Sequence, residues 1–262
     1  MQRYRKDFTK PTAERLAAPA GHGKSDARHS RGGSGASSSV APPARIDGMC
    51  PSCLEHARAH TEGRLRLMYW QSARALAAAV EAKDRYARAH TATVSNYAIE
   101  LGARMKLPRA RLTTLRLASF LHDIGKIGVP DAILQKPGPL TAAEFDVIKR
   151  HPRWATDILQ HATFFADELP IILHHHEWYD GSGYPAGLAG ESIPLEARIL
   201  AVADALDAMF SYRSYKAGYS VRHVRRELTQ CSDRQFDPEV VSVAIEWLDT
   251  DPERFIQGNS TQ

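Results

Sequence analysis

Apolar residues recur at helical spacing along most of this chain of 262 residues, and no stretch of useful length alternates apolar and polar residues as a strand would. The clearest periodicity lies in residues 197–210. Its apolar stripe consists of Ile199, Val202, Ala203, Leu206 and Met209. The pattern predicts an all-α fold, a helical bundle whose amphipathic helices share one core.

Helix and loop signals divide the rest of the chain. Residues 65–82, 90–105, 110–121, 155–159, 169–176 and 240–248 also favour helices. Thr141 and Glu144 have capping-box spacing and predict the start of a helix that runs through Phe145 and Ile148. Between residues 180 and 190 the chain has four glycines and one proline, which predicts a tight loop.

The basic charge of the chain is concentrated at its start. Residues 1–47 carry nine Lys or Arg and four Asp or Glu, and they include Gly/Ser-rich and Pro-Pro segments. This composition predicts a disordered basic tail, for which we favour a solvated leader over a nucleic-acid or membrane contact. We expect a linker at 48–69, the folded domain at 70–250 and a C-terminal tail at 251–262. We expect no specific nucleic-acid partner.

Neither the start of the chain nor any apolar run predicts a secretion signal or a membrane span. Three cysteines, an odd number, argue against a disulfide framework and favour a cytoplasmic protein. Cys50 and Cys53 are spaced as a Cys-x-x-Cys pair, with His56 and His60 following. Structural zinc, a redox pair and two ordinary thiols all remain open, and a single pair without a second is weak evidence for zinc.

Histidines and aspartates indicate the chemistry. His122-Asp123 supplies an imidazole and a carboxylate from adjacent residues, a ligand mix that suits Mn, Fe or Zn rather than Ca or Mg alone. Asp204 lies beside the apolar stripe of its helix, where a carboxylate needs a metal or a partner such as Arg198. The candidate ligands at helix ends or beside apolar stripes are His90, His122, Asp123, His151, His175, His176 and Asp204. An interior site with two metals predicts a phosphohydrolase.

Three further residues are candidates for contact with a substrate. Lys126 follows Asp123 by three residues and could reach a phosphate as a point charge. Gly183 belongs to a glycine-rich loop that lets backbone approach a ligand closely, and Tyr184 could stack on a base or bond a phosphate. A plain turn explains the same glycines equally well.

Several motifs in order give the chain a specific resemblance to a known family. They are Leu121-His122-Asp123-Ile124-Gly125-Lys126-Ile127-Gly128-Val129-Pro130, Leu134-Gln135-Lys136-Pro137-Gly138-Pro139-Leu140-Thr141, Lys149-Arg150-His151-Pro152, His175-His176-Glu177 through Gly183-Tyr184-Pro185, residues 197–204, and Arg213-Ser214-Tyr215-Lys216. With these motifs the chain resembles the bacterial HD-GYP domains over roughly residues 70–250. HD-GYP proteins are cyclic di-GMP phosphodiesterases with an HD-type helical bundle and an interior metal site.

The resemblance implies that the seven candidate ligands bind metal and that Asp123 and Lys126 are catalytic, with Lys126 at the scissile phosphate or the metal-bridging ligand. It implies that Arg213 and Lys216 bind the nucleotide, and that the products are pGpG and, after a second cut, GMP. The alternatives are a phosphohydrolase for another cyclic dinucleotide such as cyclic GMP-AMP, and a non-catalytic nucleotide-sensing or protein-docking module. A homodimer or a signalling-protein partner fits any of these interpretations.

The departures from the family pattern concentrate near the first ligand. Some family members with three metals have a Glu where this chain has Tyr86, so we expect two divalent transition metals, Fe or Mn, rather than three. Thr93 replaces an Arg that is usual in the family, and Ser214 replaces a Pro. His90 keeps the ligand type, but it is the ligand that these departures affect most.

Overall fold

The computed structural model describes residues 51–83, 90–211 and 219–256, and within these ranges it contains helices and no named strand. The predicted all-α fold is confirmed. The longer helices are α1 (Pro51–Lys83), α2 (His90–Arg104), α3 (Arg109–Leu121), α6 (His151–Leu159), α8 (Leu195–Phe210), α9 (Val221–Cys231) and α10 (Pro238–Thr250). The shorter ones are α4 (Asp131–Leu134), α5 (Ala142–Ile148), α7 (Leu169–His174) and α11 (Glu253–Ile256).

Helix α8 forms the centre of the bundle. Most of its apolar side chains are buried, because α2, α7, α9 and α10 all pack against it. Asp204 and Asp207 lie on the same helix and are 9% and 3% exposed. Glu196, at the start of the helix, is also buried and pairs with Arg111. Carboxylates in a helical core need such partners, since buried charge is costly without one. The central helix therefore places the Asp204 and Asp207 carboxylates in the interior of the bundle.

The predicted boundaries agree with the structure in part. The capping box exists: Thr141 Oγ1 accepts the Glu144 N–H at 3.3 Å, and Glu144 Oε2 accepts the Thr141 N–H at 2.7 Å. Helix α7 was predicted to run to His176 but ends at His174, because the chain turns at that point. The sequence reading missed α9, which buries only Val224 and Leu228 and so has a narrow apolar face.

Contacts assign the described residues from Leu65 onward to one compact unit, which contains the candidate ligands. The described residues 51–64 belong to a second unit and are helical. The predicted disordered tail at 1–47 lies outside the described residues. Among the helices that are described, none combines the length and the apolar character that crossing a bilayer requires.

Candidate metal centre

Helix α3 delivers His122 and Asp123 to the interior. His122 is the C-cap of α3, and Asp123 precedes a short 3₁₀ helix, Ile124–Gly128. A Cβ atom placed on Gly125 would lie 1.9 Å from the His151 carbonyl oxygen, so only glycine permits this close approach of the two backbones. The contact holds Asp123 beside the first residue of α6.

Three of the histidines are oriented by backbone carbonyls near the end of the helix that precedes them. The Nδ1 atoms of His122, His151 and His175 lie 2.7, 2.8 and 2.6 Å from the carbonyl oxygens of Ser119, Ile148 and Ile172. In each case the carbonyl belongs to the residue three positions earlier. A ring that donates Nδ1–H in this way presents the lone pair of Nε2 on its other side, which is how metal-binding histidines are usually held.

Asp123 lies between two groups of candidate ligands. Its Oδ2 is 3.4 Å from His122 Nε2 and 3.8 Å from His90 Nε2, and its Oδ1 is 3.5 Å from His151 Nε2. The His151 and His175 Nε2 atoms face each other at 3.4 Å. Each oxygen of this carboxylate thus faces a different set of nitrogen atoms.

Seven side chains form three overlapping groups whose potential ligand atoms lie within 4.8 Å of one another. The groups are His151, His175 and His176; His90, His122 and Asp204; and His122, Asp123 and His175. All seven predicted ligand positions are therefore brought together. Buried imidazole nitrogens and carboxylate oxygens in such sets fit divalent transition metals, which would also offset the buried negative charge.

Burial keeps one side of this cluster uncharged. It lowers the pKa of His151 to about 4, and it lowers the pKa values of His175 and His176 well below their usual range, with the neighbouring histidines adding to the effect. These three imidazoles are neutral near pH 7. A neutral imidazole is the form that binds metal.

The other side is governed by carboxylates. Burial lowers the pKa of His90, but the hydrogen bond and charge of Asp207 and the charges of Asp204 and Asp123 outweigh it, so the pKa is raised. Burial raises the pKa of Asp123, but Lys126 and His122 outweigh it and hold that pKa well below its usual range. Asp123 is therefore ionised at neutral pH.

Lys126 lies at the edge of the cluster. Its Nζ donates a hydrogen bond to Asp123 Oδ2 at 2.6 Å. The Lys126 side chain is 16% exposed, so it borders both the buried ligands and the solvent. An ammonium group can bond a phosphate oxygen as a point charge.

The loop at residues 180–190 closes another edge of the site. The Tyr184 ring centroid is 5.0 Å from that of His176. A Cβ atom on Gly183 would lie 2.1 Å from the Trp178 backbone nitrogen, so Gly183 permits backbone-to-backbone packing of the loop. The close packing sets Tyr184 against the histidine cluster.

Glu177 anchors this loop from the interior and is 3% exposed. Its carboxylate accepts hydrogen bonds at 2.6, 3.0 and 3.2 Å from the backbone N–H groups of Ala186, Gly187 and Leu188. In the sequence, Glu177 is part of a motif but has no predicted role. A glutamate that directly follows two adjacent histidines was the available signal.

Asp207 was missed altogether. Its position three residues after Asp204, in the apolar part of the helix, was the signal that could have identified it. The alternative partner considered for Asp204, Arg198, instead bonds Asp237 and the Ile193 carbonyl.

Four of the sequence predictions concern residues that the structure does not describe. Arg213 and Lys216 lie in the undescribed segment 212–218, and Tyr86 lies in 84–89. The zinc hypothesis at Cys50 and Cys53 also lies outside the part of the chain whose side chains are described.

Comparison with known proteins identifies the family. The family model described as HD domain matches residues 74–240, and the chain belongs to this family. Over 172 residues the chain is 42% identical to the cyclic di-GMP phosphodiesterase response regulator RpfG of Xanthomonas campestris pv. campestris, covering 65% of this chain and 46% of that protein. It is 38% identical over 176 residues to 3'3'-cGAMP-specific phosphodiesterase 2 of Vibrio cholerae, covering 66% and 34%.

A solved structure supports the fold. Bd1817, an HDGYP protein from Bdellovibrio bacteriovorus, matches with a TM-score of 0.51 at 21% identity, covering 61% of this chain and 51% of that one. The HD domain match and the relatives confirm the predicted HD-GYP resemblance. The chain spans less than half the length of the two curated relatives described above.

Proposed function

We propose that this chain is a metal-dependent phosphodiesterase that hydrolyses cyclic di-GMP to pGpG. The observation that carries the proposal is the position of Asp123, whose two oxygens face separate groups of buried nitrogen ligands. Such a cluster fits two divalent transition metals, Fe or Mn. When bound, they would supply the positive charge that activates water and neutralises the phosphate.

The residues around the cluster have distinct roles in this proposal. Asp123 would hold the two groups of candidate ligands in a fixed position relative to each other. Lys126 Nζ, next to Asp123 Oδ2, would donate a hydrogen bond to the scissile phosphate and stabilise the charge that grows there. Tyr184, beside His176, would contact a base or a phosphate. Arg213 and Lys216 enter from the family resemblance as nucleotide-binding residues.

A second substrate deserves the same test. One relative with 38% identity is named a 3'3'-cGAMP-specific phosphodiesterase, and another is named for cyclic di-GMP. Both are cyclic dinucleotides, so the shared proposal is cleavage of a phosphodiester bond in that class of ligand.

A non-catalytic sensor is less consistent with seven ligand positions that are all retained and brought together. Cytoplasmic location and a homodimer or signalling partner stay predictions.

The experiment is a product analysis with metal-loaded protein. Purified chain is reloaded with Mn²⁺ or, without oxygen, with Fe²⁺, and is offered cyclic di-GMP, cyclic GMP-AMP and linear pGpG in separate reactions. We expect cyclic di-GMP to be consumed with pGpG as the first product. Chromatography over time distinguishes pGpG from GMP.

A matched pair of variants makes the assay specific. His175→Gln removes a ligand of the cluster, whereas His161→Gln changes an exposed histidine outside it. We expect the first variant to lose turnover and the second to keep it. If loaded wild-type protein cleaves none of the three nucleotides, the proposed function is wrong. Preferential cleavage of cyclic GMP-AMP would move the assignment to that substrate.

A further inference from the structure

Asp207 is a buried carboxylate that none of the predicted roles includes. It lies on α8, is 3% exposed, and has its Oδ2 2.6 Å from the Nδ1 atom of His90. Its Oδ1 accepts a hydrogen bond from Ser211 Oγ at 3.0 Å. The short contact is with the nitrogen of His90 that faces away from the cluster, so Asp207 contacts a candidate ligand from behind.

His90 differs from the other oriented histidines in the origin of its Nδ1 partner. His122, His151 and His175 each use a carbonyl three residues earlier in the chain. His90 is the first residue of α2 and uses a side chain that is 117 residues away. The orientation of this ring therefore depends on how α2 packs against α8.

The other ring nitrogen of His90 points into the cluster. His90 Nε2 lies 3.4 Å from Asp204 Oδ1 and 3.8 Å from Asp123 Oδ2, which places it inside the cluster. A carboxylate that accepts Nδ1–H fixes the ring orientation and makes Nε2 a better electron donor. Removal of such outer partners typically lowers metal affinity about 10- to 100-fold.

We infer that Asp207 is a positioning residue for His90 and selectively sets metal affinity in the group formed by His90, His122 and Asp204. The inference rests on the proposed function in taking the cluster as a metal centre. Asp207 should have little effect on a metal in the group of His151, His175 and His176, where His151 and His175 are held by carbonyls of their own.

A Mn²⁺ titration without nucleotide tests this selectivity. Free Mn²⁺ is followed by its magnetic resonance signal, and elemental analysis gives the bound amount. We expect wild-type protein to bind two Mn²⁺ ions. Asp207→Asn should keep one site near wild-type affinity and weaken the other about 10- to 100-fold. Ser211→Ala, the control, removes the other partner of Asp207 and should leave both sites within about threefold of wild type.

A second pair of variants distinguishes positioning from a general structural role. In a His90→Ala background, Asp207→Asn should cause no further loss of Mn²⁺ affinity, because its effect passes through that ring. If Asp207→Asn alone is too unstable to titrate, His90→Ala should still lose one Mn²⁺ selectively, and loss of both or of neither overturns the inference. Equal binding by wild type and Asp207→Asn also overturns it. The titration contains no nucleotide, so these outcomes can be interpreted even if the protein does not hydrolyse the proposed substrate.

Discussion

The two sides of the ligand cluster differ in the charge of their buried polar groups. On the α6–α7 side, burial lowers the pKa values of His151, His175 and His176, so these imidazoles are neutral near pH 7. On the α2–α8 side, Asp204 and Asp207 surround His90 and raise its pKa despite burial. One side is rich in neutral nitrogen, and the other carries a surplus of negative charge that suits a cation.

The two sides also differ in how they are assembled. His151, His175 and His176 lie within 26 residues of one another in the chain, on or just after two short helices that pack together. His90 and Asp204 come from helices far apart in sequence. Local packing can therefore form the nitrogen-rich side, whereas the carboxylate-rich side requires the α2–α8 interface. Asp123 is the residue that joins them.

Asp123→Ala should give the largest effect because it disrupts both sides at once. We expect turnover of cyclic di-GMP to fall by about 10³-fold or more, since a ligand that supports several kcal/mol of charge stabilisation is lost. Elemental analysis should show less metal bound, while circular dichroism shows an intact helical fold. A variant that still turns over at a rate near that of wild type would show that Asp123 does not join the two sides.

Lys126→Ala should affect the rate and leave both sides loaded. The Lys126 ammonium bonds Asp123 Oδ2, and we place it at the phosphate, so its loss should lower kcat by about 10²-fold. Lys149→Ala is a matched control, because Lys149 also pairs with an aspartate three residues earlier, at 3.1 Å from Asp146 Oδ1, on the surface. Equal metal loss in Lys126→Ala and Asp123→Ala would refute separate roles for the two residues.

The sequence predicted those features that depend only on residue type or on the spacing of apolar residues. The stripe of α8 and the helical class followed from apolar spacing, and the candidate ligands followed from their side-chain chemistry. Asp207 and Glu177 were not assigned roles, because their importance depends on a histidine ring and on loop amides that only the folded chain brings to them. The early end of α7 was missed because no glycine or proline marks it, the next glycine being Gly181.

Glu177→Gln should separate loop placement from metal binding. The amide keeps the size of the side chain but loses the charge that strengthens hydrogen bonds from three loop N–H groups. We expect KM for the cyclic dinucleotide to rise about tenfold, since loss of roughly 1.5 kcal/mol is typical for a bond to a charged group. Metal content should not change. Glu191→Gln, an exposed glutamate near the same loop, is the control, and an equal rise in KM there would contradict the anchoring role.

Glu168→Gln should have the smallest effect on activity and should alter the pH dependence of stability instead. Glu168 is the N-cap of α7 and is 4% exposed, and among the described residues nothing bonds its Oε2. Burial raises its pKa from 4.5 to about 7. The folded chain therefore keeps a proton that the unfolded chain has already released, so the free energy of unfolding falls as pH rises from 4.5 to about 7.

The glutamine variant lacks this titration. Chemical unfolding at about pH 5 and about pH 8 gives the free energy of unfolding of wild type and of Glu168→Gln. Between these pH values, we expect the variant to gain about 2 to 3 kcal/mol of stability relative to wild type. Groups common to both proteins, including any bound metal, cancel in this comparison. Glu246→Gln, at an exposed site on α10, should show no such shift. A pH-independent difference for Glu168→Gln would mean that the carboxyl group is already ionised in the folded chain.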